Sequence, residues 1–278
     1  MKVLIVAKQN KLGLKYAGKL EKRLKNFVDD ISIDPSSARR FRRRGVSIRK
    51  FDGDIIITVG GDGTLLWTAH QANVPILPVK IEGHGFLCTT TYQELIDNLG
   101  VLINHDYTVT ERMRLQCSKV RKGTIEKYID RLRRRDYPPS LNEIVFARKR
   151  PSKILEMDFR IDDNVFEVKG DGLMFTTPSG STAYSASSGG SLIDPVLNVM
   201  GIIPLYPFFS KIKPMVIPDD KKIEVNVKSG DCCVIVDGHG GEYVKNDTQF
   251  IIEKSDPLKL INISKYNFYD KLQKEFLG

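Results

Sequence analysis

The sequence has no apolar segment long enough to cross a membrane. Its longest apolar runs, at residues 55–59 and 199–206, fall far short of the ~20 residues that a transmembrane helix needs. The first six residues are also too few for the core of a signal peptide, and a charged stretch follows them. These absences predict a cytoplasmic protein with no membrane partner.

Cysteine and histidine are scarce, with four of each in 278 residues. No two cysteines have the Cys-x-x-Cys spacing of a zinc site, so a structural zinc is not expected. Cys232 and Cys233 are adjacent in a strand-like run, where their side chains would point to opposite faces. We interpret them as packing residues.

Basic residues are concentrated at one end of the chain. Residues 1–50 contain 15 Lys and Arg against 4 Asp and Glu, a local charge of +11 within a net charge of +9. Arginine clusters occur at 39–44 and 131–135. A solvated basic face is the commoner meaning of such clusters, and nucleic acid is not expected as a partner. The alternative for residues 39–44 is a part of a site for a polyanionic phosphate donor.

The length and the hydrophobic pattern predict two domains. Buried strands at 2–8, 54–59 and 75–79 alternate with helical patterns at 12–27, 65–72 and 92–104, which is typical of an open parallel sheet. Short alternating runs separated by turn residues follow, as in an antiparallel sandwich. We therefore expect an α/β domain at 1–105, a β-sandwich domain at 106–265, and a C-terminal helix at 266–278 that packs back on the first domain.

The first motif that could take part in binding or catalysis is Gly-Gly-Asp-Gly-Thr at residues 60–64, between a predicted strand and a predicted helix. Glycines allow a phosphate to approach the backbone, and the start of a helix offers free N–H groups to an anion. Asp62 would repel phosphate, so it needs another task, such as accepting a hydroxyl proton or holding a metal ion. The simpler alternative is a glycine-rich turn with an Asp helix cap.

The second motif is Thr-Pro-Ser-Gly-Ser-Thr-Ala-Tyr at residues 177–184, continued by Ser-Ala-Ser-Ser-Gly-Gly. Its hydroxyl and backbone donors suit phosphate and ribose oxygens, and Tyr184 could contact a base. A flexible Ser/Gly loop is the alternative, but the flanking strand at 172–176 and Pro178 favour an ordered turn.

The pair of motifs resembles the NAD kinase family, which combines Gly-Gly-Asp-Gly-Thr with a later Thr-Pro-Ser/Thr-Gly-Ser-Thr-Ala-Tyr. Lipid and sugar kinases with the first motif lack the second. The similarity continues through Asn142-Glu143, Gly170-Asp171-Gly172, Asp237-Gly238 and the stretch at 268–272. It implies phosphate transfer from ATP or polyphosphate to the adenosine 2′-hydroxyl of NAD, with Mg²⁺ as cofactor and a dimer or tetramer as the assembly. A lipid or sugar kinase and a non-catalytic nucleotide- or RNA-binding protein are the alternatives.

The resemblance also implies roles for individual residues, with both substrates meeting in a cleft between the domains. Asp62 matches the catalytic carboxylate, and Asn142 and Glu143 match a dipeptide that holds NAD through ribose hydroxyls. The full set expected to bind NAD is Gly61, Gly63, Asn142, Glu143, Lys169, Asp171, Ser179, Thr182, Ala183, Tyr184, Ser187 and Asp237. The sequence departs from the family pattern at Glu82, in the stretch that usually contains Asn, and at Phe208, where His usually follows Pro. These departures concern substrate detail.

Overall fold

The computed structural model describes residues 1–83, 85–120, 134–208 and 211–277. The chain forms two compact units, one of Met1–Arg112 with Leu258–Gly278 and one of Met113–Pro257. Both divisions fall inside long strands. None of the helices in the described ranges is long and apolar enough to span a membrane.

The first part of the chain alternates strands and helices, as the hydrophobic pattern predicts. The elements are β1 (Lys2–Ala7), α1 (Lys11–Leu24), β2 (Asp30–Ile33), α2 (Pro35–Arg40), β3 (Ile55–Gly60), α3 (Asp62–Ala69), β4 (Ile76–Lys80), β5 (Thr90–Thr91), α4 (Tyr92–Asp97) and α5 (Leu99–Ile103), with a 3₁₀ turn at Ile48–Lys50.

The second part of the chain consists mostly of strands. The elements are β6 (Thr108–Val120), β7 (Arg134–Asp136), β8 (Glu143–Arg148), β9 (Leu155–Ile161), β10 (Asn164–Gly170), β11 (Gly172–Thr176), a 3₁₀ turn (Ser179–Thr182), α6 (Tyr184–Ser187), β12 (Val199–Leu205), β13 (Met215–Pro218), β14 (Ile223–Ser229), β15 (Cys232–Val236), β16 (His239–Val244), β17 (Thr248–Asn262), α7 (Phe268–Leu272) and a π-helical turn (Gln273–Leu277).

The first unit is built on a parallel sheet. β1 pairs with β2 on one side and β3 on the other, β3 pairs with β4, and the end of β17 pairs with β4 through Leu260. β1 and β3 are buried along almost their whole length because helices cover the sheet, which explains their continuous apolar runs. On α1, the buried residues Ala17, Leu20 and Leu24 recur at helical spacing and pack into the same core.

One local prediction in this unit was only partly right, and two short elements were missed. The helix expected over 92–104 is broken at Asn98, which ends α4 and begins α5. β2 and α2 were not predicted at all. β2 has only four residues, and its one fully buried side chain, Ile33, gives no clear alternation. α2 begins at an Asp34 cap that accepts bonds from the N–H groups of Ser36 and Ser37.

The second unit contains two antiparallel sheets. One has the order β13-β12-β11-β8-β15-β16, and the other contains β10-β9-β14-β17. Aromatic side chains from the two sheets meet in a shared core, where the ring centroids of Phe146 and Phe250 are 5.0 Å apart and those of Phe159 and Phe175 are 6.4 Å apart. The predicted fold class, an open α/β domain plus a β-sandwich, is confirmed.

Candidate functional site

The Gly-Gly-Asp-Gly-Thr motif joins a buried strand to a helix. β3 ends at Gly60, Gly61 is the N-cap, and α3 begins at Asp62. A Cβ on Gly60 would lie 2.2 Å from Oγ1 of Thr64, so a side chain does not fit there. A Cβ on Gly61 or Gly63 would meet no atom within 4 Å. These two glycines therefore leave open space at the start of α3, where the N–H of Thr64 already donates to the carbonyl oxygen of Gly61 but the N–H groups before it have no partner within the helix.

The carboxylate of Asp62 is held by a backbone segment 24 to 26 residues away. Oδ2 accepts hydrogen bonds from the N–H groups of Phe86 at 2.6 Å and Leu87 at 3.0 Å, and Oδ1 accepts from Cys88 at 3.0 Å. These three backbone bonds fix the orientation of the carboxylate, and the thiol of Cys88 is a further hydrogen-bonding neighbour of it. Asp62 is thus an oriented acceptor at the mouth of a glycine turn, and it is not the cap of α3, because Gly61 is the N-cap and no side chain caps the helix.

A half-buried lysine from the C-terminal helix lies next to this carboxylate. Nζ of Lys271 donates to the carbonyl oxygen of Cys88 at 2.6 Å. Burial lowers its pKa, while the negative charge of Asp62 opposes that shift. Phe268 of the same helix packs against Phe86 with ring centroids 5.7 Å apart, which fixes α7 beside the segment that holds Asp62. Sequence reasoning missed Lys271, because only the fold brings residue 271 near residue 62.

In the second unit, Asp237 shapes the start of β8. Its carboxylate accepts from the hydroxyl of Ser140 at 2.6 Å and from the N–H groups of Leu141, Asn142 and Glu143 at 2.9, 2.8 and 3.1 Å. Asp237 and Gly238 both have positive φ and form the two-residue turn between β15 and β16. Asp237 therefore acts directly on the backbone of the Asn-Glu dipeptide.

The hydroxyl-rich segment is an ordered turn attached to the same dipeptide. The N–H of Thr177 donates to the carbonyl oxygen of Asn142 at 2.9 Å, and its hydroxyl donates to that of Leu141 at 2.6 Å. A Cβ on Gly180 would lie 2.1 Å from the carbonyl oxygen of Asn142, so only glycine fits this close approach. The hydroxyl of Ser181 donates a hydrogen bond to the carbonyl oxygen of Pro178 and accepts one from the N–H of Ile193, which fixes the far side of the turn.

Asn142 and Glu143 are buried but incompletely paired. They are 7% and 6% exposed, and Oδ1 of Asn142 and Oε2 of Glu143 have no hydrogen-bond partner in the described part of the chain. Burial and the neighbouring Asp237 raise the pKa of Glu143 to about 8. At neutral pH the side chain therefore carries a proton and can both donate and accept a hydrogen bond. Unpaired buried polar atoms are costly unless a ligand completes them.

This pKa predicts a pH-dependent difference in stability between the parent and Glu143→Gln. The folded pKa of about 8 exceeds the ordinary value of 4.5, so the contribution of Glu143 to stability is complete below about pH 4.5 and is lost as pH rises toward 8. Gln does not titrate. We expect the free energy of unfolding of the variant minus that of the parent to grow by up to about 5 kcal/mol across this window and then level off. Urea unfolding at several pH values measures it, and a constant difference would contradict the assignment.

The other residues expected to bind NAD fall into two groups. Ser179 is buried in the 3₁₀ turn, Thr182 and Ala183 are half-buried, and Tyr184 and Ser187 of α6 are exposed, all within the ordered segment beside Asn142. Lys169 and Asp171 precede β11, whereas Thr177 follows it, so the extended strand separates Asp171 from Thr177 by roughly 20 Å. There Lys169 pairs with Glu156 and Asp171 with Arg148. The structure does not bring these two residues to the Asn-Glu dipeptide.

The first arginine cluster is partly engaged elsewhere. Arg43 makes a bidentate ion pair with Glu21 of α1, in which its two terminal guanidinium nitrogens donate to the two carboxylate oxygens at 2.7 and 2.9 Å. Arg42 and Arg44 are exposed. In the second cluster, residues 131–133 lie outside the described residues.

We therefore expect the triple variant Arg42→Gln, Arg43→Gln, Arg44→Gln to change the KM for ATP by less than about twofold, since solvated charges are screened at a distance. Steady-state kinetics with ATP measure this. A tenfold rise in KM for ATP would instead place the cluster in the donor site.

Comparison with known proteins identifies the family. Residues 3–107 match the family model "ATP-NAD kinase N-terminal domain", and residues 141–263 match "ATP-NAD kinase C-terminal domain". The chain is 33% identical over 265 residues to an NAD kinase of Thermococcus kodakarensis, covering 92% of this chain and 91% of that protein. It is 31% identical over 245 residues to an NAD kinase of Methanothermobacter thermautotrophicus, covering 86% and 81%.

Solved structures agree on the fold. A yeast NADH kinase complexed with NADH superposes with a TM-score of 0.87 at 20% identity, covering all of this chain and 87% of that one. An NAD kinase from Archaeoglobus fulgidus in complex with ATP gives a TM-score of 0.75 at 24% identity, covering 99% and 98%. With both family models matched and these relatives aligned over most of their length, the chain belongs to the ATP-NAD kinase family.

Proposed function

We propose that this protein transfers the γ-phosphate of ATP to the adenosine 2′-hydroxyl of NAD, forming NADP and ADP. The observation that carries the proposal is the pair of buried, unpartnered oxygens on Asn142 and Glu143, which the Asp237 carboxylate and the ordered turn at 177–182 hold in place. A ribose diol supplies both donors and acceptors, as these two side chains require.

The second unit supplies the NAD-binding groups of the proposal. Asn142 and the protonated Glu143 bind ribose hydroxyls. Ser179 and Thr182 offer polar groups to the sugar and phosphate oxygens, Ala183 leaves room for a flat ring, and Tyr184 and Ser187 present an exposed aromatic face and hydroxyl. Asp237 is a positioning residue, because its carboxylate is occupied by the backbone of the dipeptide. Lys169 and Asp171 are assigned a weaker, peripheral role in binding NAD.

The first unit supplies the groups for phosphate transfer. The 2′-oxygen attacks the γ-phosphorus in line, the bond from that phosphorus to the β,γ-bridging oxygen breaks, and ADP leaves. Asp62 accepts the hydroxyl proton. Because a carboxylate is a weak base toward an alcohol, alignment and charge neutralisation provide most of the acceleration. Gly61 and Gly63 give the donor phosphates access to the N–H groups at the start of α3.

The charge of the transferred phosphate needs cations. Lys271 is a half-buried ammonium group beside Asp62, which suits this task. In the described ranges, no cluster of three or more His, Cys, Asp or Glu side chains could hold a metal ion. We propose that Mg²⁺ is carried by the donor phosphates, with Asp62 as the nearby acidic side chain. Bound in that way, Mg²⁺ would neutralise charge on the β- and γ-phosphates.

A cytoplasmic location and a dimeric or tetrameric assembly complete the proposal. Three apolar side chains of the second unit, Val196, Leu197 and Tyr206, are 79%, 50% and 79% exposed, and self-association would cover such groups. Light scattering of the purified protein measures the assembly.

The test of the proposed activity is an assay of purified protein with NAD, ATP and Mg²⁺, in which an NADP-specific dehydrogenase reports the product. We expect NADP to accumulate in proportion to protein concentration and to require both substrates. Absence of NADP, with ADP formed from a lipid or sugar acceptor instead, would overturn the proposal in favour of another kinase that shares the first motif.

A further inference from the structure

A second lysine of the first unit lies at the same edge of the sheet as the Gly-Gly-Asp-Gly-Thr turn. Lys80 is the last residue of β4, and in the parallel ladder it is paired with Gly60, the last residue of β3. Open α/β sheets bind their ligands beyond the carboxyl ends of the strands. The fold therefore places Lys80 beside the turn that carries Asp62, and the mechanism above gives this lysine no task.

The side chain of Lys80 runs alongside the Asp62 carboxylate. A Cβ added at Gly85 would lie 2.9 Å from Oδ1 of Asp62 and 3.6 Å from Cδ of Lys80, so both side chains pass close to one point. The ammonium group is at the end of the same chain, a short distance beyond Cδ. Glycine at position 85 lets the carboxylate and the lysine approach each other, because a larger residue would displace one of them.

The ammonium group of Lys80 has a single, loose ion-pair partner among the described residues. Its Nζ lies 3.7 Å from Oε1 of Glu275 in the C-terminal π-helical turn, a distance at which the pair forms no hydrogen bond. The two side chains are only 21% and 13% exposed. An ammonium group has three N–H donors, so within the described part of the chain Lys80 keeps donors available for an anion.

Lys80 and Lys271 are like charges that share the surroundings of Asp62. Burial is the main cause that lowers the pKa of Lys271, and the charge of Lys80 lowers it further, whereas Asp62 and Glu275 oppose the shift. Two partly buried ammonium groups repel each other, and the two carboxylates balance that repulsion in the free enzyme. A phosphoryl group that arrives beside Asp62 brings additional negative charge, which both lysines together are suited to neutralise.

We propose that Lys80 is a second catalytic cation, which contacts the oxygens of the transferred phosphoryl group together with Lys271, and that Glu275 is its counter-ion until the substrates bind. Lys80 stays protonated and donates hydrogen bonds while the bond to the leaving group breaks, so it makes and breaks no covalent bond itself. The inference rests on the proposed kinase activity and deepens it by adding a residue to the transfer step.

The first test compares two substitutions of Lys80 by steady-state kinetics with NAD, ATP and Mg²⁺. Lys80→Met keeps most of the volume but removes the charge, and we expect it to lower kcat by about 10²- to 10³-fold, the usual effect of losing one donor to a transition state. Lys80→Arg keeps the charge and should retain about tenfold more activity than Lys80→Met. Lys15→Met is the matched control, since Lys15 is an exposed lysine of α1, and its kcat should stay within about twofold of the parent.

Chemical rescue separates a catalytic role of Lys80 from a structural one. Lys80→Ala leaves room for a small amine, so n-propylammonium should restore part of kcat in a saturable way, whereas n-propanol of similar size should not. Thermal unfolding identifies the folded variants for this comparison. Parental kcat in folded Lys80→Met, or equal rescue by the alcohol and the amine, would overturn the inference.

Glu275→Gln tests the counter-ion without altering Lys80. Loss of the competing carboxylate should lower the KM for ATP by about 1.5- to 5-fold, the effect of releasing one weak ion pair, and should leave kcat within about twofold. A fall in kcat as large as that of Lys80→Met would show that the ion pair instead holds the C-terminal turn in place, and it would overturn the inference.

The outcomes separate the two proposals. If the parent makes no NADP from ATP and NAD, the proposed function fails, whatever the lysine variants show. If the parent makes NADP and folded Lys80→Met makes it at the parental rate, the function stands and the role of Lys80 is wrong.

Discussion

Asp62→Asn is expected to lower kcat for NADP formation by about 10²- to 10⁴-fold, the usual effect of removing a positioned base. The KM for NAD should change by less than about threefold, because the groups assigned to the ribose are on the second unit. An amide cannot take the proton from the 2′-hydroxyl as phosphate transfer proceeds. Steady-state kinetics with both substrates varied would measure the two effects separately.

The same substitution also disturbs a structural contact. The amide NH₂ of the introduced side chain would face at least one of the N–H groups of Phe86, Leu87 and Cys88, which now donate to the carboxylate. Thermal unfolding of the variant should therefore accompany the kinetics. Asp52→Asn is the matched control, since it makes the same chemical change at an exposed position of the first unit. A folded Asp62→Asn variant with parental kcat would remove the carboxylate from the mechanism.

Glu143→Ala is expected to raise the KM for NAD by about 10- to 100-fold, because it removes the hydrogen bonds of a buried side chain and leaves a cavity behind. Glu143→Gln should change this KM by less than about threefold at pH 7. With its pKa raised to about 8 by burial and Asp237, the glutamate carries a proton at that pH, and Gln reproduces its shape and its ability to donate and accept.

Above pH 8 the KM for NAD of the parent and that of Glu143→Gln should diverge. Ionisation of Glu143 creates a second buried negative charge near Asp237 and removes a donor, so the KM of the parent for anionic NAD should rise. The Gln variant has no such titration. The pH profile of KM from pH 6 to 9 tests this, with the KM for ATP as the internal control. A Gln variant that already loses most of its NAD affinity at pH 7 would show that the ionised carboxylate is the binding form.

Local patterns in the sequence were sufficient to predict the main architecture. The strands at β1 and β3 are continuous apolar runs because both faces are covered, and α1 repeats its buried residues at helical spacing. The position of Asp62 directly after β3 follows from the strand, glycine and helix signals in order. Short elements such as β2 were not predicted, because four residues with mixed burial do not define a hydrophobic period.

Local sequence patterns predicted only some of the functional residues. Both motifs were found, but the partners that orient them lie far along the chain. The donors to Asp62 are at residues 86–88, Lys271 follows at the C-terminus, and Asp237 acts on a dipeptide more than 90 residues earlier. The local sequence Asp237-Gly238 predicts a hairpin turn, and the structure has a hairpin turn there. The hydrogen bonds from the N–H groups of Asn142 and Glu143 to the Asp237 carboxylate form only because β15 pairs with β8.

The most direct test of the central claim is the destination of the phosphate. The purified protein is supplied with NAD and ATP labelled in the γ-phosphate, and the dinucleotide product is isolated and cleaved at its diphosphate. The account predicts that all label in the product lies in adenosine 2′,5′-bisphosphate and none in nicotinamide mononucleotide, and that Asp62→Asn slows its appearance. Label on the nicotinamide half, or label found in inorganic phosphate alone, would contradict it.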